Sequence, residues 1–330
     1  MLADRILHTY GLFGATPLQV EKGYRNESHA ALLPDGHQVN VIIYKAEPGI
    51  LATLKRANLV GDYLARQGYP ARYTYDQRII RLGMKDKVRY AGIYQYLPGH
   101  TIPWDAYTME HLKQLGGSMG AMHQSLKNAP FILENQVVDE YTAITQRMRT
   151  YFSQPEIQRA LEAKLHVNVS IPNYFFALLK GCARLSGQQP LHMDFVRGNI
   201  LFDDTAQITG VLDFEKAAWG HPVFDIARTY AFLLVDCKHK TEAQVRKYFL
   251  SSGYNKRGMA NFKITTASST LLEQLVDLFL LYDFYKFLRH NPYESLAQNE
   301  HFVRTRALLL QRQLLAHTTK TPHTIFSEEE

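Results

Sequence analysis

Cysteine is nearly absent: Cys182 and Cys237 are the only two in 330 residues, and neither belongs to a Cys-x-x-Cys pair. That excludes a disulfide framework or a cysteine-based zinc site, and both are expected to be reduced, buried hydrophobes. No apolar run reaches the roughly 18 to 20 uninterrupted residues that a membrane-spanning helix needs. The greasiest stretch, Leu271 to Leu288, is broken by Glu273, Asp277, Asp283 and Lys286 and reads as a core helix. Internal repeats and low-complexity linkers are lacking, and only Thr318 to Glu330, rich in Thr and Glu, reads as a frayed tail. Neither sign of charge dominates, with 37 basic against 31 acidic residues and a net charge of +6. The basic residues are dispersed. Their densest group, Arg78, Arg81, Lys85, Lys87 and Arg89, straddles a hairpin as a solvated strand face, which argues against nucleic acid while allowing an anionic ligand such as a nucleotide. The start, Met1-Leu2-Ala3-Asp4-Arg5, has an early acid and no charged-then-apolar leader, which predicts a cytoplasmic address. Composition says nothing of oligomeric state.

What is present is an ordinary globular composition, 46% hydrophobic and 21% charged, in a length that suggests two lobes around a cleft. The first part reads as strands with one helix. Leu18 to Glu21 approaches a glycine turn at Gly23, and Ser28 to Leu33 and His37 to Tyr44 flank Pro34-Asp35-Gly36, a hairpin signal. A helix from Ile50 to Gln67 is stopped by Gly68 and Pro70, and Arg78 to Leu82 pairs with Val88 to Leu97. After Leu97-Pro98-Gly99 the texture turns helical, with Met109, Leu112, Leu115, Met119 and Met122 at helical spacing. Further helices are expected over 139–152, 157–165 and 174–185, and one β-like island over 200–214. The expected class is α+β: a strand-rich lobe over 1–97 and a helical lobe over 98–330 with a hairpin set into it.

The chemistry concentrates in that hairpin. His192-Met193-Asp194 is followed five residues later by Asn199, then by Ile200-Leu201-Phe202, a turn at Asp203-Asp204-Thr205, and Ile208 to Leu212 leading into Asp213-Phe214-Glu215. Folded as a hairpin, this places Asn199 and Asp213 side by side at one mouth with Asp194 in the loop leading in. A carboxylate and an amide oxygen suit Mg²⁺, and a further carboxylate can take a hydroxyl proton, which is the requirement of phosphoryl transfer.

These residues resemble the aminoglycoside phosphotransferase and choline kinase-like superfamily, small-molecule kinases of protein-kinase-like fold. The loop is similar to that family's His-Gly-Asp-x-x-x-x-Asn. Leu212-Asp213-Phe214-Glu215 is similar to its Ile-Asp-Trp/Phe-Glu, and Gly220-His221-Pro222-Val223-Phe224-Asp225-Ile226-Ala227 to its Gly-x-Pro-x-x-Asp-Leu-Ala turn. The resemblance implies ATP as co-substrate, Mg²⁺, and a small-molecule hydroxyl acceptor. It implies Asp194 as catalytic base, Asn199 and Asp213 as metal ligands, His192 as a partner orienting the loop, and Asp225 as a buried anchor. Glu215 either stands beside the metal ligands or salt-bridges at the surface. Tyr94-Gln95-Tyr96-Leu97-Pro98-Gly99 resembles the lobe-connecting segment whose backbone holds adenine, so Tyr94, Tyr96 and Leu97 are expected at the nucleotide. Gly23, Asn26 and Ser28 resemble the phosphate-covering turn.

The pattern departs where a strand cation should clamp phosphates with a helix Glu. The resemblance puts that cation near Ile42, which carries no charge. A register shift of three brings in Lys45, with Ile43 sharing its face and able to pack on adenine. Asp62 is the only acid of the 50–67 helix, making Lys45–Asp62 the available pair, and Arg25 or Lys55 are other sources of charge. Met193 stands at the family's Gly position. The acceptor is not written in the sequence. Glu273, Asp277 and Asp283 on one helix, with Asp139 and Glu140 on another segment, could meet ammonium groups, or the tyrosines could cage a quaternary ammonium. Two alternatives to a small-molecule kinase stay open: a Ser/Thr protein kinase on the same scaffold, or a nucleotide-binding regulatory pseudokinase.

Overall fold

The computed structural model describes residues 2–22, 26–84, 87–255 and 266–318; Gly23, Arg25, the tip of the second hairpin at 85–86 and nearly all of the expected tail lie outside the described residues. The chain forms two compact units, Met1–Val137 with Leu185–Ala267, and Val138–Arg184 with Ser268–Glu330.

The first unit begins with α1 (Leu2–Thr9), β1 (Thr16–Lys22), β2 (Glu27–Leu32), β3 (Gln38–Tyr44), α2 (Ile50–Arg66), β4 (Thr74–Met84) and β5 (Lys87–Gln95). The strands make one antiparallel sheet in the order β1-β2-β3-β5-β4. β3 lies inside it and, past the polar Gln38 and Asn40, is apolar on both faces. Val39, Val41 and Ile43 pack with Ile6, Leu7 and Tyr10 around α1, whereas Ile42 and Tyr44 pack with Ile50, Leu54 and Tyr94 beside α2. Strand alternation with a helix on each face requires that division. Two sequence expectations are corrected here. The early part carries a second helix, α1, too short to declare its period. Ile43 also cannot reach a nucleotide from the cleft face, because it is fully buried on the α1 side.

Next in chain order come α3 (Met109–Leu126), α4 (Val137–Phe152), α5 (Pro155–Leu165), β6 (Val167–Val169) and α6 (Tyr174–Cys182). β7 (Gln189–Leu191), β8 (Ile200–Phe202), β9 (Ile208–Val211), β10 (Ala218–Gly220), α7 (Val223–Asp236) and α8 (Glu242–Val245) follow, the last running into a π-helical turn over Arg246–Tyr254. The described chain closes with α9 (Thr266–His290), α10 (Tyr293–Leu296), α11 (Glu300–Gln311) and β11 (Leu315–His317).

In the second unit β6 pairs with β11, and Tyr141 packs edge-on against Phe279 and Tyr282. Three of the five acids that could have met a polycationic acceptor are already paired there, whereas Asp139 and Glu140 are exposed at the start of α4. Arg312 holds Asp277 at 2.9 Å and Glu273 at 3.0 Å, while Asp283 meets Lys286 and His301. Both cysteines are buried, and they form no disulfide. Among the described residues no helix is long and apolar enough to cross a membrane.

In the first unit α3 lies directly against the π-helical turn. A Cβ on Gly116 would stand 2.0 Å from the Phe249 carbonyl oxygen, so only glycine permits this approach. Gly116→Ala is expected to lower unfolding free energy by about 1–3 kcal/mol through overpacking. Gly181→Ala, which meets open space in α6, is expected to be neutral or stabilising by up to about 1 kcal/mol. Urea melts of the two variants check this, and equal losses would contradict the close-approach account.

Candidate active site

Two short antiparallel pairs frame the His192–Glu215 segment. β7 and β10 join at Leu191↔Ala218, and β8 and β9 at Ile200↔Val211. Between β7 and β8 the chain makes the His192–Asn199 loop, and between β9 and β10 the 212–217 turn. Leu212 N–H donates to the Asn199 carbonyl at 2.8 Å, which seats Asn199 and Asp213 beside the same bond. Asn199 Nδ2 donates back to the Asp194 carbonyl at 2.9 Å and approaches its Oδ2 at 3.4 Å. Asp213 Oδ1 accepts from Glu215 N–H at 3.2 Å. No described residue donates to Asn199 Oδ1 or Asp213 Oδ2, so each keeps an oxygen for a ligand.

α7 supplies the support. Asp225, Arg228 and Thr229 share one helical face by their spacing, and all three touch the loop. Asp225 Oδ2 accepts from His192 N–H at 2.9 Å and Oδ1 from Met193 N–H at 2.6 Å. The hydroxyl of Thr229 donates to the Phe195 carbonyl at 2.9 Å, and Arg228 reaches Asp194 Oδ1 at 3.3 Å. Asp225 is 1% exposed and also meets His123 Nε2 at 3.1 Å, with His123 Nδ1 2.9 Å from the Tyr254 hydroxyl. Burial pushes its carboxyl up, but His123 and the backbone donors bring it below the ordinary value.

His192 is fully buried, and its ring is fixed by two bonds. Nδ1 accepts from Asp194 N–H at 3.1 Å, and Nε2–H donates to the Leu212 carbonyl at 3.0 Å. That assigns a neutral tautomer, and burial holds the imidazole below its ordinary pKa although Asp225, Asp194 and Asp213 pull the other way. The ring thus connects the loop to the strand end before Asp213.

Asp194 has a side chain 16% exposed, with Lys216 Nζ at 2.8 Å on Oδ1 beside Arg228. Burial would raise its pKa; the Lys216 ammonium and Arg228 guanidinium outweigh that and keep it below the usual carboxylate value. The group is an ionised carboxylate held in one direction. Lys216 and Arg228 carried no signal beyond their positions in the sequence, since only the fold brings them to one carboxylate.

Toward the sheet lies a cavity of about 500 Å³ lined by Ser28, Asn40, Arg72, Tyr96, Leu97 and Leu212 among others. Ser28 Oγ donates to Asn40 Oδ1 at 2.8 Å on its wall. Of the expected nucleotide residues, Ser28, Tyr96 and Leu97 line it. Tyr94 is buried behind it, its hydroxyl in a chain with Tyr44 at 2.7 Å and Asn58 at 3.1 Å. Asn26 bridges Lys45 N–H and Glu215 Oε1, at 3.2 and 3.1 Å. Glu215 is therefore half-buried rather than at the surface, its carbonyl also accepting from Arg56 at 3.0 Å. The Lys45 side chain is exposed beyond the end of β3. The Lys45–Asp62 pair does not form. Asp62 instead accepts from Thr74 N–H and Oγ1 at 2.7 and 2.9 Å.

A family model described as the phosphotransferase enzyme family matches residues 28–260. A search of curated protein sequences finds no match. Among solved structures the chain is similar to an amicoumacin kinase in complex with AMP-PNP, Ca²⁺ and Ami, at 15% identity over 96% of this chain and 94% of that one, with a TM-score of 0.66. It is similar to a microcompartment-associated aminopropanol kinase, at 16% identity over 95% and 97% with a TM-score of 0.58. An aminoglycoside phosphotransferase from Alicyclobacillus acidocaldarius aligns at 14% identity over 92% and 95%, with a TM-score of 0.59. At such identities the likeness is one of fold, and the fold is kinase-like α+β.

Asp225→Asn keeps one acceptor where two are used, so about 2–4 kcal/mol of stability is expected to be lost at neutral pH. Because the folded pKa of Asp225 is depressed, its contribution is full above about pH 4 and is lost as pH falls through the folded value. Denaturant melts from pH 7 downward should show a shallower loss below about pH 4 in the variant than in the wild type. Parallel acid limbs would remove Asp225 from this role.

Proposed function

The chain belongs to the phosphotransferase enzyme family, and from that premise we propose that it moves the γ-phosphoryl group of ATP, with Mg²⁺, to a hydroxyl of a small molecule. One observation carries the reading. Asn199 and Asp213 present unspent oxygens at one mouth, while the ionised Asp194 stands in the loop that Asn199 itself closes. An amide oxygen and a carboxylate fit a hard cation that completes its shell with phosphate oxygens and water. When bound, Mg²⁺ would neutralise charge on the phosphates.

The chain's own residues do the rest. Asp194 accepts the acceptor's hydroxyl proton, and Lys216 and Arg228 keep its carboxylate ionised and fixed in direction. His192 and Asp225 hold the loop that carries it. Tyr96, Leu97 and Ser28 line the pocket assigned to the nucleotide, and Asn26 ties the Lys45 backbone to Glu215. On this reading residues 1–97 form the nucleotide side and 98–330 the catalytic side of a cytoplasmic enzyme. Glu273, Asp277 and Asp283 are engaged by Arg312, Lys286 and His301, so those three acids do not argue for a polycationic acceptor. A regulatory pseudokinase is disfavoured by the retained Asp194, Asn199 and Asp213.

An ADP-coupled assay over a panel of hydroxyl-bearing metabolites is expected to show turnover dependent on a divalent cation. Asp194→Asn should lower kcat by about 10²–10⁴-fold, with ATP affinity, read by calorimetry, changed by less than about threefold. ATP binding without turnover on any panel member would favour the pseudokinase instead.

A further inference from the structure

A phosphoryl-transfer site needs a fixed cation against the nucleotide phosphates, and in this chain the strand that should carry it does not. The cavity-side positions of β3 are Asn40, Ile42 and Tyr44, all uncharged, and the last two are buried against α2. Where a lysine–glutamate pair would join β3 to α2, the structure has a neutral chain from Tyr44 through Tyr94 to Asn58. Lys45 is exposed past the strand end, and Lys55 opens on a separate hollow beside Asp62 and Arg66.

Arg72 is different. It follows Pro70 and Ala71, where the chain runs beside β9. Val211 N–H donates to the Pro70 carbonyl at 2.7 Å, and Arg72 N–H donates to the Val211 carbonyl at 2.8 Å. This fixes the Arg72 backbone against the residue two before Asp213. α2 presses on it from the other side, since a Cβ on Gly61 would stand 2.3 Å from the Arg72 carbonyl oxygen. The side chain enters the same cavity as Ser28, Asn40, Tyr96 and Leu97, its guanidinium 4.7 Å from the centre of the Tyr94 ring.

Among the described residues this half-buried guanidinium has no ion pair and no side-chain hydrogen bond. Asp213 and Glu215 lie within electrostatic range but not in contact. Taking a guanidinium from water without an anion is unfavourable, and the Tyr94 face offsets only part of that. An anion in the cavity would supply the remainder. A planar fork of donors suits phosphate oxygens.

We propose that Arg72, delivered from the link between α2 and β4, is the cation that holds the nucleotide's phosphates in this protein, in place of a lysine from β3. The assignment rests on the nucleotide-binding reading of the cavity made above. Tyr94 gives the guanidinium a platform, and the Tyr44–Tyr94–Asn58 chain fixes that platform as an ion pair would fix a lysine.

The test is the preference for ATP over adenosine, measured by calorimetric titration at fixed MgCl₂ on wild type, Arg72→Met, Arg72→Lys and Lys45→Met. The wild type is expected to prefer ATP. Arg72→Met should shrink that preference by about 10- to 100-fold, the range of a lost charge-assisted bond, with adenosine affinity unchanged. Arg72→Lys should keep part of it, and Lys45→Met should keep all. Unchanged adenosine binding also shows that each variant is folded. Loss of ATP and adenosine together in Arg72→Met would make Arg72 a prop of the pocket and overturn the proposal. A wild type without preference, an Arg72→Met with full preference, or its collapse in Lys45→Met would do the same. Collapse in Arg72→Met of a protein that turns over no substrate would support the clamp while counting against the catalytic reading.

Discussion

A carboxylate at 1% exposure is tolerable only when its lone pairs are taken up, and Asp225 fills them with the backbone N–H groups of His192 and Met193 and the ring of His123. The two backbone bonds fix the direction in which the chain leaves β7, and so the place where Asp194 stands. His123 then ties the same carboxylate to α3 and, through Tyr254, to the π-helical turn that lies against Gly116. Loop, α3, α7 and that turn are thus joined through one buried charge. Losing it would leave two buried donors without acceptors, so position and stability of the catalytic loop depend on the same side chain.

That segment was legible because its geometry is local. His192, Asp194 and Asn199 lie within eight positions, and a short hairpin returns the chain to Asp213, so spacing alone implied which residues meet. Apolar periodicity was equally readable in α3, where buried Leu112, Leu115, Met119 and Met122 recur at helical intervals. Helix α1 escaped because eight residues hold barely two turns. The pairings of β7 with β10 and β6 with β11 escaped because three-residue strands leave no alternation to detect.

The nucleotide side was harder for a physical reason. Its contacts are set by which face of β3 looks toward α1, and past Val41 the strand is apolar and buried on both faces, so the alternation that marks Gln38 and Asn40 fades before Lys45. Lys45 was attractive as the nearest cation in sequence, yet β3 ends before it and its backbone, not its ammonium, is bound to Asn26. Arg72 lies beyond a helix stop at Gly68 and Pro70, in a stretch with no periodicity. Only the parallel bridge to Val211 brings it to the cavity, and a bridge of that kind has no sequence signature. The missing lysine was the one available clue: where a required charge is absent from its usual element, another element has to bring one.

The same accounting explains two unusual backbone positions. Met193 and Asp213 hold φ of +59° and +56°, a region where a non-glycine residue costs about 1–2 kcal/mol. Each neighbours a group whose direction matters: Met193 precedes Asp194, and Asp213 is itself a candidate ligand. Each is also pinned, Met193 by its N–H on Asp225 and the residue before Asp213 by its N–H on Asn199. The left-handed turn at Met193 redirects the chain toward Asp194 just after the two N–H groups that Asp225 holds. Glycine would reach that turn without strain but would leave the core, since the Met193 side chain is 2% exposed. Methionine therefore exchanges backbone ease for apolar burial of roughly 1.5–3 kcal/mol, enough to cover the strain, and the loop is held by packing and hydrogen bonds at once.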